Sequence, residues 1–370
     1  MQNPQLLARF DSIIKSLKGK RVGLLFDNDA DGTTSAALAW NAIKRITGED
    51  VVWASTQSER GGALGKDILK VLPNLKLDLL ITLDKPLDQD PQRVKEAEQY
   101  CGAIIVVDHH TITGDLDSEK TCFIKAQFIA DTPPASQYPT AKMTYDLFSR
   151  HVDLKDLDWV SAAGLIADAS YIAWKPFVDE ILIRNKWKIP KDIFDSRLAD
   201  VSKLINNVLI YSRELGKDIF AELVKAKSVE EFLQSPLKKY SKTVEDEISF
   251  WLGEYEKAEF IDDLELVWYP FAPKFRIGSP VSTILSMQKF PQKTVIILTD
   301  MGGLDLNISL RRQDKKVDMA ALAAYATKGL ENANGGGHIP AAGASVMKKD
   351  LETFKERVLK YLGEHSVAHP

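Results

Sequence analysis

Short unbroken apolar runs alternate with longer stretches of helical periodicity through the first half of the chain. Residues 21–26 read as a buried strand, and residues 33–46, rich in Ala and Leu, as a helix. Residues 78–83 and 103–107 are further apolar runs, with a helical pattern over 91–100 between them. Strands that alternate with helices build βαβ units and a mostly parallel sheet. Helical patterns follow over 138–151 and 159–172, the second Ala-rich. Residues 186–259 differ, with mixed charge and a helical spacing of Leu204, Leu209, Phe220 and Leu223. From about Phe260 the alternation returns, with strand-like runs over 264–269, 294–299 and 304–310 and helical ones over 282–288, 318–326 and 349–363. The expected fold class is α/β: an N-terminal parallel-sheet domain over 1–185, a helical connector over 186–259 and a smaller C-terminal α/β domain over 260–370.

Composition narrows the picture without changing it. With 45% hydrophobic and 27% charged residues among 370, a sizeable core is expected and wholesale disorder is not. A net charge of −4 and a sequence pI near 6.0 exclude a strongly basic nucleic-acid coat. They do not exclude a nucleic-acid enzyme, because bound cations add charge that the count omits. Two cysteines, Cys101 and Cys122, make no disulfide framework and point to a reducing, cytoplasmic setting. The N-terminus lacks the apolar stretch of a signal peptide, and no apolar run approaches the roughly 20 residues that span a bilayer. No membrane partner is expected.

The candidate chemistry lies where the strands end. Asp27, Asp84 and Asp108 each follow an apolar run directly, and in open α/β sheets ligands bind outside those strand ends. In Asp27-Asn28-Asp29-Ala30-Asp31-Gly32 three carboxylates alternate over five positions between strand and helix. Packed together without cations they repel and raise one another's pKa; a hard divalent cation, which prefers oxygen ligands, removes that penalty. The bland alternative is a solvated Asp-rich turn that caps the helix. A calcium loop of the EF-hand kind fits poorly, because position 12 from Asp27 is Leu38. Asp108-His109-His110 places a carboxylate and two imidazoles at the same sheet edge, a set suited to metal and oxyanion contact. Asp168 is a carboxylate on an apolar helix, where it needs either a cation partner from elsewhere in the chain or a metal. Gly335-Gly336-Gly337-His338 exposes backbone N–H groups that form an anion-binding nest, or else is a flexible surface loop. Ser309 precedes Leu310-Arg311-Arg312 at a strand end, where Arg311 or Arg312 forks onto a phosphate or is simply solvated.

In this order the motifs resemble the DHH phosphoesterase superfamily, whose name is the Asp108-His109-His110 seen here, with a DHH-associated C-terminal domain marked by Gly335 to His338. The Asp-x-Asp-x-Asp-Gly form resembles RecJ-like members, and the size resembles the compact archaeal type. The resemblance implies two divalent cations, commonly manganese, with magnesium as the alternative. It implies Asp29, Asp31, Asp84, His109 and Asp168 as metal ligands, Asp84 bridging, and His110 as a catalytic residue beside the scissile phosphate. Several branches carry a metal-binding His where this chain has Leu25, so Asp27 and Asp108 are candidates to complete that site. Ser309, Arg311, Gly335, Gly336, Gly337 and His338 are the implied substrate-binding residues. The function expected from the resemblance is that of a RecJ-like single-strand-specific exonuclease on DNA or RNA, serving repair or replication. The alternatives are a phosphodiesterase for short oligonucleotides or cyclic dinucleotides, and a replisome-binding protein, a partner of the GINS complex, with little activity.

Overall fold

The computed structural model describes residues 3–59, 61–130 and 132–365. They form two compact units, residues 1–241 and 242–370. Among the described residues no helix is long and apolar enough to cross a membrane.

The first unit is built on five strands: β1 Val22–Phe26, β2 Trp53–Ser55, β3 Leu77–Leu83, β4 Cys101–Asp108 and β5 Thr121–Lys125. All pair in parallel, in the order β2-β1-β3-β4-β5. A parallel sheet is covered on both faces, which is why its strands read as unbroken apolar runs. Alternate residues go to opposite cores. Leu24, Phe26, Leu79, Ile81, Ile105, Val107, Cys122 and Ile124 join the larger cluster. Leu25, Leu80, Ile104, Val106 and Phe123 join the smaller one on the other face.

The larger core also takes in the helices Ala30–Thr47, Thr140–Phe148, Asp158–Ala167 and Arg197–Tyr211, through residues such as Leu38, Leu147, Leu165 and Leu204. Leu223 and Phe232, from the short helices that follow, complete it. Residues 186–241 of the helical segment thus lie in the first unit and 242–259 in the second.

The second unit carries a six-stranded sheet: β6 Glu259–Ile261, β7 Leu266–Phe271, β8 Thr294–Asp300, β9 Asp305–Arg311, β10 Asn334–His338 and β11 Ala341–Met347. The order is β10-β11-β9-β8-β7-β6, with only β7 and β8 parallel. Helices Met319–Thr327 and Leu351–His365 supply Leu322, Phe354 and Val358 to its core. The glycine run Gly335 to Gly337, expected as a loop or nest, is instead part of strand β10. Two contacts explain its composition. A Cβ on Gly335 would lie 2.5 Å from the Ala323 carbonyl oxygen, and Gly337 sits at φ 148° with its missing Cβ 2.6 Å from the Ala341 carbonyl. At Gly335 and Gly337 the strand passes too close to its neighbours for a side chain.

Candidate active site

In the order β2-β1-β3-β4-β5 the chain winds outward from β1 in one direction and from β3 in the other. A crevice opens at such a reversal, outside the carboxyl ends of the strands. Asp27 follows β1, Asp84 follows β3 and Asp108 ends β4.

The loop after β1 turns straight into helix Ala30–Thr47. Asp29 caps it, its Oδ1 accepting from Gly32 N at 2.8 Å. Gly32 is needed there, because a Cβ would lie 2.5 Å from the Asp27 carbonyl oxygen. Asp31, in the first turn, points the other way. Its two oxygens accept from Thr140 N and Ala141 N, each at 2.8 Å, at the start of helix Thr140–Phe148. The Thr140 hydroxyl donates to Asp84 Oδ1 at 3.1 Å. Asp84 itself holds a left-handed backbone, φ 62°. Asp168 lies at the end of helix Asp158–Ala167.

These groups converge on one imidazole. His109 Nε2 lies 3.3 Å from Asp168 Oδ2, 3.5 Å from Asp84 Oδ1 and 3.8 Å from Asp31 Oδ2. His110 Nδ1 lies 2.7 Å from Asp108 Oδ1 and 3.9 Å from Asp84 Oδ1. Two sets of ligand-type atoms, Asp84, His109 and His110 in one and Asp31, His109 and Asp168 in the other, each fall within 4.8 Å of one another. Asp27 stands at the edge, its Oδ1 3.4 Å from Lys85 Nζ.

The second unit gathers its candidates by register. Ser309 on β9 is opposite Gly343 on β11, which is opposite Gly336 on β10; two residues along, Arg311, Ala341 and His338 align in the same way. Paired residues share a face of a sheet, so Ser309, Arg311, Gly336 and His338 line one surface. Gly335 faces the helix Met319–Thr327 instead. Arg311 is largely buried, yet every partner it has is neutral: Thr283 Oγ1 at 3.2 Å, Ser279 Oγ at 2.9 Å, and the carbonyls of Leu310 and Ala342. Arg312 is engaged otherwise. It is buried against Glu265, Asp314 and Thr294, so the fork onto phosphate considered for either arginine is open to Arg311 alone.

Residues 21–174 match the model of the DHH family, N-terminal domain, and residues 277–364 match that of the DHHA1 domain. The chain thus carries a DHH-family N-terminal domain followed by a DHHA1 domain. Its fold is RecJ-like: it is similar to RecJ of Thermus thermophilus in complex with Mn2+, with a TM-score of 0.67 at 16% identity, covering 100% of this chain and 56% of that one. An exonuclease RecJ bound to manganese gives 0.61 at 18% identity, covering 97% and 94%. The DHH domain of a protein described as a member of a family of ribosomal proteins gives 0.65 at 13%, covering 98% and 92%. At such identities the likeness is one of fold. No curated protein matches the chain.

The electrostatics of this DHH centre are those of carboxylates short of positive charge. Burial, with the charge of Asp27, pushes Asp29 up to about 6. Burial, then the charges of their carboxylate neighbours, raises Asp31 and Asp84 well above the usual range, and burial raises Asp168 against the pull of the two histidines. Burial lowers His109, favouring the neutral imidazole that binds metals, and its buried Nδ1 has no hydrogen-bond partner. The hydrogen bond to Asp108 raises His110. Asp108 is the exception among the buried acids. Burial opposes its charge, but the His110 hydrogen bond and the charges of His110 and Lys125 prevail and hold it low. Carboxylate oxygens suit hard divalent cations such as manganese or magnesium, and a cation would relieve the repulsion that raises Asp29, Asp31 and Asp84. The residues present therefore fit such an ion.

Three participants carried no signal in the sequence: Thr140, which joins Asp31 to Asp84, and the buried lysines Lys85 and Lys125. Lys125 ends β5, where a lysine that closes the run Thr121-Cys122-Phe123-Ile124 reads from the sequence as a solvated strand end.

Proposed function

We propose that this protein is a two-cation phosphodiesterase that removes nucleotides from the end of single-stranded DNA or RNA. The observation that carries the reading is the convergence of Asp31, Asp84 and Asp168, from three separate elements, within 3.8 Å of one imidazole nitrogen. The DHH-family domain supports metal-dependent phosphoester hydrolysis, and the RecJ-like fold supports a nucleic-acid strand as the substrate.

Asp29, Asp31, Asp84, His109 and Asp168 would hold the cations, with Asp84, central in the cluster, shared between them. When bound, the ions supply Lewis-acid charge that polarises the phosphoryl oxygens and eases deprotonation of the attacking water. The chain's own residues do the rest. Thr140 and Ala141 fix the rotamer of Asp31 through two backbone N–H bonds, and Thr140 fixes that of Asp84 through its hydroxyl. Asp108 accepts from His110 Nδ1, which leaves Nε2 of this half-exposed ring free to donate to a phosphoryl oxygen as negative charge develops. Arg311, with no carboxylate partner among the described residues, would take a second phosphate of the strand as a fork. Ser309, Gly336 and His338 beside it would contact the adjoining sugar or base.

The test is a manganese-dependent assay on single-stranded DNA and RNA, labelled at either end and supplied as a length series from dimers upward. Stepwise release of nucleotides from long strands is expected, and Asp84→Ala should abolish it while the fold is retained. Activity confined to dimers through pentamers would redirect the reading to short oligonucleotides. Full activity of Asp84→Ala, or none of the wild type on any of these, would overturn it.

A further inference from the structure

Six aspartates crowd the carboxyl end of the first sheet: Asp27, Asp29, Asp31, Asp84, Asp108 and Asp168. Two of them have a lysine. Lys85, next to Asp84 and only 2% exposed, holds its Nζ 3.4 Å from Asp27 Oδ1. Lys125 is fully buried. Its Nζ contacts Asp108 Oδ2, lies 3.0 Å from Asp88 Oδ1 and donates to the His110 carbonyl at 3.3 Å. The far oxygen of Asp88 accepts from Thr113 N and Gly114 N, so this network also pins the chain that follows His110. With Asp108 Oδ1 committed to His110 Nδ1, neither oxygen of Asp108 is free. The other four aspartates are different. Among the described residues, Asp31, Asp84 and Asp168 have only histidines within ion-pair range, and Asp29 has no cationic side chain there.

We infer that Lys85 and Lys125 are positioning residues, fixed internal counter-ions that withhold Asp27 and Asp108 from metal. They leave Asp29, Asp31, Asp84, Asp168 and His109 as the set that holds the cations. The inference rests on the two-cation reading above and deepens it. A carboxylate already beside an ammonium gains less from a second cation, because the lysine repels the incoming ion, most strongly at the fully buried Asp108 and less at Asp27, whose side chain is 41% exposed. Drawing Asp108 away would also cost the buried Lys125 one of its two carboxylate partners, leaving Asp88 alone to balance it. Lysine suits this task as a compact point charge on a flexible stem. The division gives the two outer aspartates separate duties: Asp108 orients His110, and Asp27 holds Lys85 against the metal-binding loop.

Calorimetric titration with Mn2+ tests the division by counting ions bound per chain. Wild type, Asp27→Asn and Asp108→Asn are expected to bind the same number of ions, whereas Asp31→Asn and Asp168→Asn lose one. Asp108→Asn should lower kcat and leave KM in place. Lys85→Met frees Asp27 and should tighten Mn2+ binding roughly tenfold, the scale of one screened charge pair. The double variant K85M/D27N should return it to the wild-type value, which a lysine that merely fills space would not do. Asp27→Ser repeats the first measurement if the asparagine perturbs the turn. Loss of an ion in Asp27→Asn and Asp27→Ser, or in Asp108→Asn, overturns the inference and leaves the two-cation reading standing. A wild-type chain that binds no Mn2+ removes both.

Discussion

Asp29, Asp31 and Asp84 are held in a setting that disfavours their charged forms, and this couples metal binding to protons. Their pKa values lie above those of the unfolded chain, with Asp29 near 6. The metal-free fold therefore has its full stability from these groups below the unfolded value, about 4, and loses it as pH rises, the share of Asp29 through about 6. A bound cation requires the ionised forms and removes the repulsion, so it opposes that loss. The rise in unfolding midpoint produced by saturating Mn2+ should therefore grow as pH increases through about 6, and Mn2+ binding below that pH should release protons. Urea titrations with and without metal, and calorimetry in buffers of different ionisation enthalpy, check both. His110→Gln should lower kcat by about 10²- to 10³-fold, the range for loss of one donor to a developing negative charge, with Mn2+ stoichiometry unchanged. The acids of this centre were legible because a carboxylate that directly follows an apolar run has few structural reasons to be there. Lys85, Lys125 and Thr140 were not, since a lysine or threonine near a strand end is ordinarily solvated. Only the folded chain shows Lys125 without exposure and Thr140 between two carboxylates.

At the level of elements, unbroken apolar runs located β1, β3 and β4 to within about two residues, as expected for strands buried on both faces. The pattern failed where composition and environment disagree. Three glycines in succession signal a loop, yet Gly335 to Gly337 run along β10, where Ala323 and Ala341 lie in the places that side chains of Gly335 and Gly337 would take. β2, with three residues, is too short for periodicity to register, and β11, Ala341–Met347, has small residues where apolar ones would have marked it. The two faces of β10 call for opposite outcomes. Gly335→Ala should destabilise the protein by about 1–3 kcal/mol through overpacking, measured by chemical denaturation. Gly336→Ala meets nothing within 4 Å and should leave stability unchanged. Its methyl group adds to the surface that carries Ser309, Arg311 and His338, so its effect should appear in KM.

On the scale of the whole molecule, the chain divides its labour between two bodies with separate cores. The carboxylate centre belongs entirely to the first and the Arg311 surface entirely to the second. Differential scanning calorimetry should reflect this division. At a Mn2+ concentration about 100 times its Kd, the transition of the first unit should gain about 2.7 kcal/mol for each ion bound, while that of the second stays in place. The α/β class and the presence of a second, smaller α/β body were legible from the alternation of patterns alone. The placement of residues 186–241 was not, because an amphipathic helix declares that it has an apolar face and not which core receives it.

Under the two-cation reading proposed above, the left-handed backbone of Asp84 sets catalysis against robustness. A residue other than glycine held at such a φ costs of order 1–3 kcal/mol, and this one also brings a buried carboxylate into a crowd of others. Asp84→Gly would relax both burdens in a single step. A descendant that lost the reaction by that route would be sturdier than its parent, so at this position decay of the enzyme into a hydrolytically silent scaffold runs downhill.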